Sequence, residues 1–131
     1  NINPTERYYY ITDDVDNQIM IIPIKATKQE RLVQTGIKPH SIAFTPNDHL
    51  MLVTNEGSNT VSIISSLQEK VLETIEVGIA PTELVVAKEG KKAYVANHKD
   101  RTVSVIDIER MKNIKDIVVG INPVSIVVIP E

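Results

Sequence analysis

The sequence contains no cysteine and no tryptophan, and aromatic residues make up only 4% of its 131 residues. Without cysteine the chain can form no disulfide bond, no thiolate metal site and no thiol nucleophile. No apolar run approaches the roughly 20 residues that a membrane-spanning helix needs. The longest runs, Ile19–Ile22 and Ile126–Ile129, have the length of a β-strand. The sequence therefore predicts no insertion into a membrane.

The chain also lacks an excess of positive charge. It has 14 basic and 17 acidic residues, a net charge of −3 and an isoelectric point near 5.6. Proteins that bind nucleic acid or anionic lipid usually present a basic face. The fingerprints of serine hydrolases, phosphate loops, zinc proteases and dinucleotide-binding folds are missing as well. We therefore predict no nucleic-acid partner, no cofactor, no metal and no catalytic residue.

What the sequence does contain is a gapless repeat of 42 residues. Its most regular columns are a glycine and, three residues later, a proline: Gly36, Gly78 and Gly120, then Pro39, Pro81 and Pro123. A period of this size is typical of β-propellers and solenoids, in which one copy cannot bury its own faces. Glycine in this column predicts an unusual backbone conformation where the chain crosses to the next unit.

Each copy contains four short β-like runs separated by turn residues. In the second copy they are Met51–Thr54, Thr60–Ile64, Val71–Val77 and Glu83–Ala87. The last run is mostly apolar and suits an innermost strand, whereas the third carries the charges of an outer edge strand. We predict an all-β chain: one segment, residues 1–131, of three propeller blades of four antiparallel strands. The repeats span approximately 7–49, 50–91 and 92–131, with 1–6 as the tail of a preceding inner strand.

Two stretches carry a family resemblance. LVTNEGSNTVSII is followed by VGIAPTELVV, and YVANHKDRTVSVID is followed by VGINPVSIVV. Both resemble the YVTN-type β-propeller repeat, although the first copy has Asp13 in place of the asparagine. The resemblance implies a propeller fold. Similar repeats occur in cell-surface proteins, lactonase-like hydrolases, haem-d nitrite reductases and amine dehydrogenases. It therefore implies an extracytoplasmic location, periplasmic, secreted or at the cell surface, and leaves the chemistry open.

Three blades do not close a ring, because propellers typically have four to eight blades. Two chains could form a six-bladed ring as a symmetric dimer, in which Ser125–Ile129 completes the first blade of the partner. Alternatively, the chain is a piece of a larger propeller and packs against its remaining blades. The start at Asn1, in the middle of an expected strand, favours the second alternative.

Candidate binding residues come from two places at the expected channel mouth. His40 follows Pro39, one of the prolines that recur with the repeat, at the start of an inner strand. Thr82 occupies the same position one period later. A cluster of oxygen ligands precedes the second strand of the first copy: Asp13, Asp14, Asp16 and Asn17. We expect this cluster to lie on the same face as His40. A channel-facing histidine without a catalytic role and a solvated turn are the simpler interpretations.

Two further patterns are interpreted as structural. Asn55 and Asn97 close the first run of their copies, which is the second strand of a blade, where such side chains commonly bond the backbone of tight turns. Strand alternation places Tyr9 on the opposite face from Tyr8 and Tyr10. That tyrosine marks either a contact surface or the exposed face of a terminal blade.

These observations favour a non-enzymatic binding or scaffold module. The alternative is a fragment of a propeller enzyme, a lactonase-like hydrolase or a haem or quinone oxidoreductase, whose catalytic residues lie mostly elsewhere. A third possibility is an assembly unit of a surface layer. The sequence names no ligand and no protein partner.

Overall fold

The computed structural model describes residues 8–25, 29–123 and 126–127. These ranges contain eleven β-strands and no helix, so no helix among them is long and apolar enough to cross a membrane. The strands form three antiparallel sheets. The predicted all-β fold is therefore confirmed.

We name the sheets blades 1, 2 and 3 in chain order. Blade 1 contains β1 (Tyr8–Asp13), β2 (Gln18–Pro23) and β3 (Arg31–Gln34). Blade 2 contains β4 (Pro39–Phe44), β5 (Leu50–Asn55), β6 (Thr60–Ser65) and β7 (Lys70–Glu76). Blade 3 contains β8 (Pro81–Val86), β9 (Lys92–Asn97), β10 (Thr102–Asp107) and β11 (Lys112–Val118).

In each blade the strands pair in the order of the chain, as in a meander. The four-residue loops that join β1 to β2, β5 to β6 and β9 to β10 each end on a residue with positive φ: Asn17, Asn59 and Arg101, at 57°, 58° and 55°. Asparagine tolerates this left-handed conformation better than most residues. The turns thus recur with the same 42-residue period as the sequence.

The first strand of each four-stranded blade lies innermost. β4 packs beside β8, and β1 lies against β4. The sheets are therefore arranged around one axis, as blades of a propeller are. The predicted strand tail 1–6 and most of the predicted strand Ser125–Ile129 lie outside the described residues.

Two apolar layers hold the blades together. Between blades 1 and 2, Ile19 and Ile21 pack with Met51 and Val53. On the other face of β5, Leu52 joins the layer between blades 2 and 3. Because successive residues of a strand point to opposite faces, the central blade buries both of its faces. Each blade therefore depends on its neighbour for its core.

The expected backbone conformation of the repeated glycine is confirmed at Gly120, with φ of 75°, and is wrong at Gly36 and Gly78. The positive φ angles lie two residues later instead, at Lys38 (54°) and Ala80 (56°). Gly36 and Gly78 are required for space, because each lies against an asparagine side chain of the next blade. A Cβ atom there would overlap that side chain.

Candidate functional site

The inner strand of blade 2 is distorted at its start. The register of β4 against β5 shifts between Pro39 and Ile42, so that His40 and Ser41 together lie opposite Thr54. The Ser41 backbone N–H donates to Thr54 Oγ1 at 3.0 Å, which holds the extra residue in place. Such β-bulges re-aim side chains and often lie next to functional sites.

The inner strand of blade 3 has the same bulge one period later. The register of β8 against β9 shifts between Pro81 and Leu84, where Thr82 and Glu83 lie opposite Ala96. The Thr82 hydroxyl lies 3.5 Å from the Ala96 carbonyl oxygen, which accepts its hydrogen bond. The hydroxyl of Thr82 is therefore turned toward the backbone of the neighbouring strand.

The two bulges are joined by side chains. The Ser41 hydroxyl donates to Glu83 Oε1 at 3.3 Å, and His40 Nδ1 lies 2.9 Å from the same hydroxyl oxygen. His40 is exposed, whereas Ser41 and Glu83 are half-buried. We call these three residues the bulge cluster. It presents an imidazole, a hydroxyl and a carboxylate at the ends of two adjacent inner strands.

The side chain of Thr54 connects the backbones of the two bulges. The Thr54 hydroxyl donates to the Thr82 carbonyl oxygen at 2.6 Å while accepting from the Ser41 N–H. Thr54 is fully buried. The buried Thr54 side chain of β5 thus sets the relative position of the two bulges. It thereby limits the distance between the residues of the bulge cluster.

Asp13, the first residue of the predicted acidic site, is already engaged by its own loop. Its Oδ1 accepts the N–H groups of Val15 and Asp16, both at 3.1 Å, and its Oδ2 accepts from Gln18 Nε2 at 3.1 Å. The bond from the Asp16 N–H and that from Gln18 hold the pKa of Asp13 below its ordinary value. The carboxylate therefore stabilises the turn.

Asn17 binds the chain that leads to the next blade. Its Oδ1 accepts the Lys38 N–H at 3.0 Å, and its carbonyl accepts the Thr35 N–H at 2.9 Å. Asn59 repeats the first bond with the Ala80 N–H at 3.0 Å. This recurrence identifies Asn17 as part of the connection between blades.

The loop of Asp14 and Asp16 lies at the same end of the blades as His40, because Asn17 bonds the backbone two residues before His40. In the ranges that the structure describes, no hydrogen bond joins the aspartates to the bulge cluster. Nor do any three His, Asp or Glu side chains there form a group that could hold a metal ion. The structure thus places the two predicted groups at one end without merging them.

Residues 12–130 match a family model described as a YNCE-like beta-propeller. The chain belongs to the YNCE-like β-propeller family. A search among curated proteins found no match.

Solved structures resemble this YNCE-like chain closely in fold. Hydrazine synthase of Kuenenia stuttgartiensis matches with a TM-score of 0.83 and 24% identity, over 90% of this chain and 34% of that one. Apo AztD from Citrobacter koseri matches with 0.75 and 18%, over 92% and 34%. The dihydro-heme d1 dehydrogenase NirN matches with 0.71 and 16%, over 84% and 24%. The YNCE-like chain spans about a third or less of each.

Sequence reasoning missed two of the three residues of the bulge cluster. Ser41 and Glu83 fall in one column of the repeat, at the start of the mostly apolar inner strands. Their polarity in that otherwise apolar run was the available signal. The bulge that turns them toward each other is a property of strand pairing, which the column alone does not reveal.

Proposed function

We propose that the chain is a non-enzymatic binding module that takes its ligand at the bulge cluster. The observation that carries the proposal is the hydrogen bond between Ser41 and Glu83, which joins two adjacent blades at matching bulges. His40 lies exposed beside it. Polar groups from neighbouring elements that converge at one end of a fold are typical of binding sites.

The proton arrangement supports binding over nucleophilic catalysis. A serine hydroxyl has one proton, and Ser41 donates it in a hydrogen bond to Glu83. When Ser41 donates to Glu83, His40 Nδ1 is the donor to the Ser41 oxygen, and in that tautomer the imidazole is not the base of the serine. In a catalytic triad the histidine accepts the serine proton and the acid orients the histidine. Here the acid contacts the serine instead.

The chemistry of the cluster suits a cationic ligand. Glu83 supplies a half-buried negative charge, and the chain as a whole carries a net charge of −3. A protonated amine, such as a lysine side chain of a partner protein, can bind the carboxylate and leave the hydroxyl and the imidazole as flanking hydrogen-bonding groups. We propose this class of ligand for the module.

The test is an NMR titration of the isotope-labelled chain with the peptide acetyl-Ala-Lys-Ala-amide. We expect shifts confined to the amides of the bulge cluster and an affinity that falls at least tenfold in Glu83→Gln. Glu89→Gln is the matched control, because Glu89 lies exposed in the loop at the opposite end of β8. Equal binding by all three proteins, or shifts scattered over the surface, would contradict the proposal.

The proposal extends to the repeat type and the location. The YVTN-type motif supports a module of an extracytoplasmic or cell-surface protein. Protease treatment of intact source cells, and of cells whose outer membrane alone is permeabilised, tests this part, and degradation of the chain before the cytoplasm is opened is the expected result. Protection until the cytoplasm is opened would contradict it.

A second proposal is that the chain is part of a larger propeller enzyme. It is supported by the names of two structural neighbours, a hydrazine synthase and a dehydrogenase, of which this chain spans 34% and 24%. Hydrolysis of a simple γ-lactone by the chain, with loss of that activity in His40→Ala, would favour the enzyme over the binding module. Absence of turnover together with specific amine binding would favour the binding module.

A further inference from the structure

The hydrogen bonds of the bulge cluster use the protons of its own side chains. The Ser41 hydroxyl donates to Glu83 Oε1 at 3.3 Å. Because a hydroxyl has a single proton, the contact of 2.9 Å between His40 Nδ1 and the same oxygen then needs its proton on Nδ1. In the neutral imidazole the other ring nitrogen, Nε2, is in that case an acceptor. The arrangement therefore favours the tautomer of His40 that offers a lone pair on Nε2.

The two threonines behind the cluster also donate to the protein itself. The Thr54 hydroxyl accepts the Ser41 N–H at 3.0 Å and donates to the Thr82 carbonyl oxygen at 2.6 Å. The Thr82 hydroxyl donates to the Ala96 carbonyl oxygen at 3.5 Å. The hydroxyl protons of Ser41, Thr54 and Thr82 are thus all engaged, and none of the three remains for a ligand.

The acceptors of the cluster, in contrast, are open. In the part of the chain that the structure describes, Glu83 Oε2 and His40 Nε2 take part in no hydrogen bond. None of the ion pairs among those residues includes Glu83. Glu83 is half-buried, and a carboxylate that is removed from water without a cationic partner is unfavourable. Binding of a cation at Oε2 relieves this cost.

These open groups define the chemistry that a ligand needs. The carboxylate oxygen and the imidazole lone pair both accept hydrogen bonds, and the carboxylate repels negative charge. Carboxylate, phosphate and carbonyl groups offer neither a proton nor a positive charge to such a site. A suitable ligand carries positive charge, several N–H donors and no acceptor. Ammonium and guanidinium groups meet these conditions.

The position of the two acceptors distinguishes guanidinium from ammonium. They belong to adjacent blades, since His40 lies in β4 and Glu83 in β8. A guanidinium group carries five N–H donors in a planar fork, which offers donors on more than one edge, whereas an ammonium group is a compact point charge. The fork therefore suits a site in which two different residues accept.

The surroundings of the carboxylate favour guanidinium as well. The imidazole of His40 is exposed and is bonded to the same Ser41 hydroxyl as the carboxylate, so that a flat ring lies beside the charge. Guanidinium groups stack on such rings, and they are hydrated more weakly than ammonium groups. The loss of water on approach to the half-buried Glu83 is therefore less costly for a guanidinium group.

We propose that the bulge cluster recognises a guanidinium group in preference to an ammonium group, and that its partner is a protein that presents an arginine side chain. The inference rests on the proposed binding module, because it specifies the ligand of the same site. The guanidinium donates to Glu83 Oε2 and to His40 Nε2. Ser41 holds the carboxylate and the imidazole in position through the two contacts of its hydroxyl.

An NMR titration of the isotope-labelled chain with three peptides tests the preference. The peptides are acetyl-Ala-Arg-Ala-amide, its lysine counterpart and its citrulline counterpart, which is neutral and carries a carbonyl acceptor. We expect the arginine peptide to bind at least about fivefold more tightly than the lysine peptide, and the citrulline peptide to cause no shift at the cluster. His40→Ala should reduce the preference below about twofold. His49→Ala is the matched control and should keep it, because His49 lies exposed in the loop at the opposite end of β4.

A second measurement determines the tautomer of His40 directly. Long-range correlation of the ring protons with both ring nitrogens shows which nitrogen of a neutral imidazole carries the proton. We expect the proton on Nδ1, as the contact with Ser41 requires. A proton on Nε2 would overturn the inference, because the open nitrogen would then be a donor.

The outcomes separate this inference from the proposed function. If the lysine peptide shifts the cluster and binds as tightly as the arginine peptide, the preference for guanidinium is overturned and the binding module stands. If neither peptide shifts the cluster, both the module and the preference are overturned. An arginine preference that is equal in wild type and in His40→Ala would also overturn the inference, because the imidazole would then make no contribution to it.

Discussion

A Cβ atom on Gly78 would stand 2.7 Å from both Cγ and Nδ2 of Asn97, which belongs to the next blade. Gly36 and Asn55 repeat the relationship one period earlier. Asn97 is held in place by hydrogen bonds from its Nδ2 to Thr102 Oγ1 at 3.0 Å and Ser104 Oγ at 2.8 Å. The glycine column and the asparagine column of the repeat are thus two halves of one contact.

The contact predicts that Gly78→Ala is strongly destabilising. The buried amide of Asn97 cannot move away, and overpacking of this kind costs about 1–3 kcal/mol. In an Asn97→Ala background the same substitution should cost much less, which urea unfolding of the four proteins would reveal as a coupling. Gly120→Ala is the control: no described residue lies within 4 Å of a Cβ placed there, so we expect the cost of the positive φ alone, about 1 kcal/mol. Additive effects of Gly78→Ala and Asn97→Ala would contradict the contact.

Asn59→Ala should lower the free energy of unfolding by about 1–2 kcal/mol, because it removes a hydrogen bond and a residue suited to positive φ. The lost bond is the one from the Ala80 N–H to Asn59 Oδ1. Asn59→Asp keeps the acceptor and should recover most of the loss. Thermal and urea unfolding give the comparison. Equal losses in both variants would show that the acceptor is unimportant.

Arg31 connects blade 1 to blade 2. We expect it to contribute more to the free energy of unfolding than any other charged side chain. Its Nε donates to Glu69 Oε2 at 2.6 Å, and its guanidinium carbon lies 5.1 Å from the centre of the Tyr8 ring. Arg31→Ala should cost about 1–2 kcal/mol. Arg31→Lys should restore less than half, since an ammonium lacks the planar fork.

The control for Arg31 is Arg110→Ala. Arg110 forms an exposed pair with Asp107 at 3.9 Å, with 75% of its side chain accessible. Exposed pairs of this kind contribute little. Chemical unfolding should show no resolvable change for Arg110→Ala. A loss of stability as large as that of Arg31→Ala would mean that the position of Arg31 between two blades does not increase its contribution to the free energy of unfolding.

Protonation of the Asp13 carboxylate should lower the free energy of unfolding in acid. Its pKa is held below the ordinary value of 3.8 by the N–H of Asp16 and the amide of Gln18. The unfolded chain lacks these bonds and takes up the proton at higher pH. The stabilisation is therefore present above about pH 3.8 and is lost as the pH falls through the lowered value. Urea unfolding between pH 6 and pH 2 should show a smaller acid loss for Asp13→Asn than for wild type.

His40→Ala should leave stability within about 0.5 kcal/mol of wild type, because the imidazole is exposed and its one hydrogen bond among the described residues is with the Ser41 hydroxyl. Any ligand bound at the bulge cluster should nevertheless bind more weakly. Parallel unfolding and amine-titration measurements separate the two effects. A large loss of stability would instead assign His40 a structural role.

Much of the fold was accessible from the sequence. The runs Met51–Thr54 and Thr60–Ile64 fall within β5 and β6, and the alternation that sets Tyr9 apart from Tyr8 and Tyr10 appears in their exposure. Strand alternation and turn residues act over a few positions, so their pattern is readable directly. The structural interpretation of Asn55 and Asn97 is also confirmed, although their amides bond side chains of the next strand and not the turn backbone.

The sequence by itself determined the repeat, the strands and the turns of this protein, because these depend on neighbouring residues along the chain. Only the tertiary structure decided why Gly78 must lack a side chain and which groups Ser41 meets. Gly78 and Asn97 are 19 positions apart, and Ser41 and Glu83 are separated by a full period of 42. Such pairs come together only when one blade packs on the next, and no local pattern records that contact.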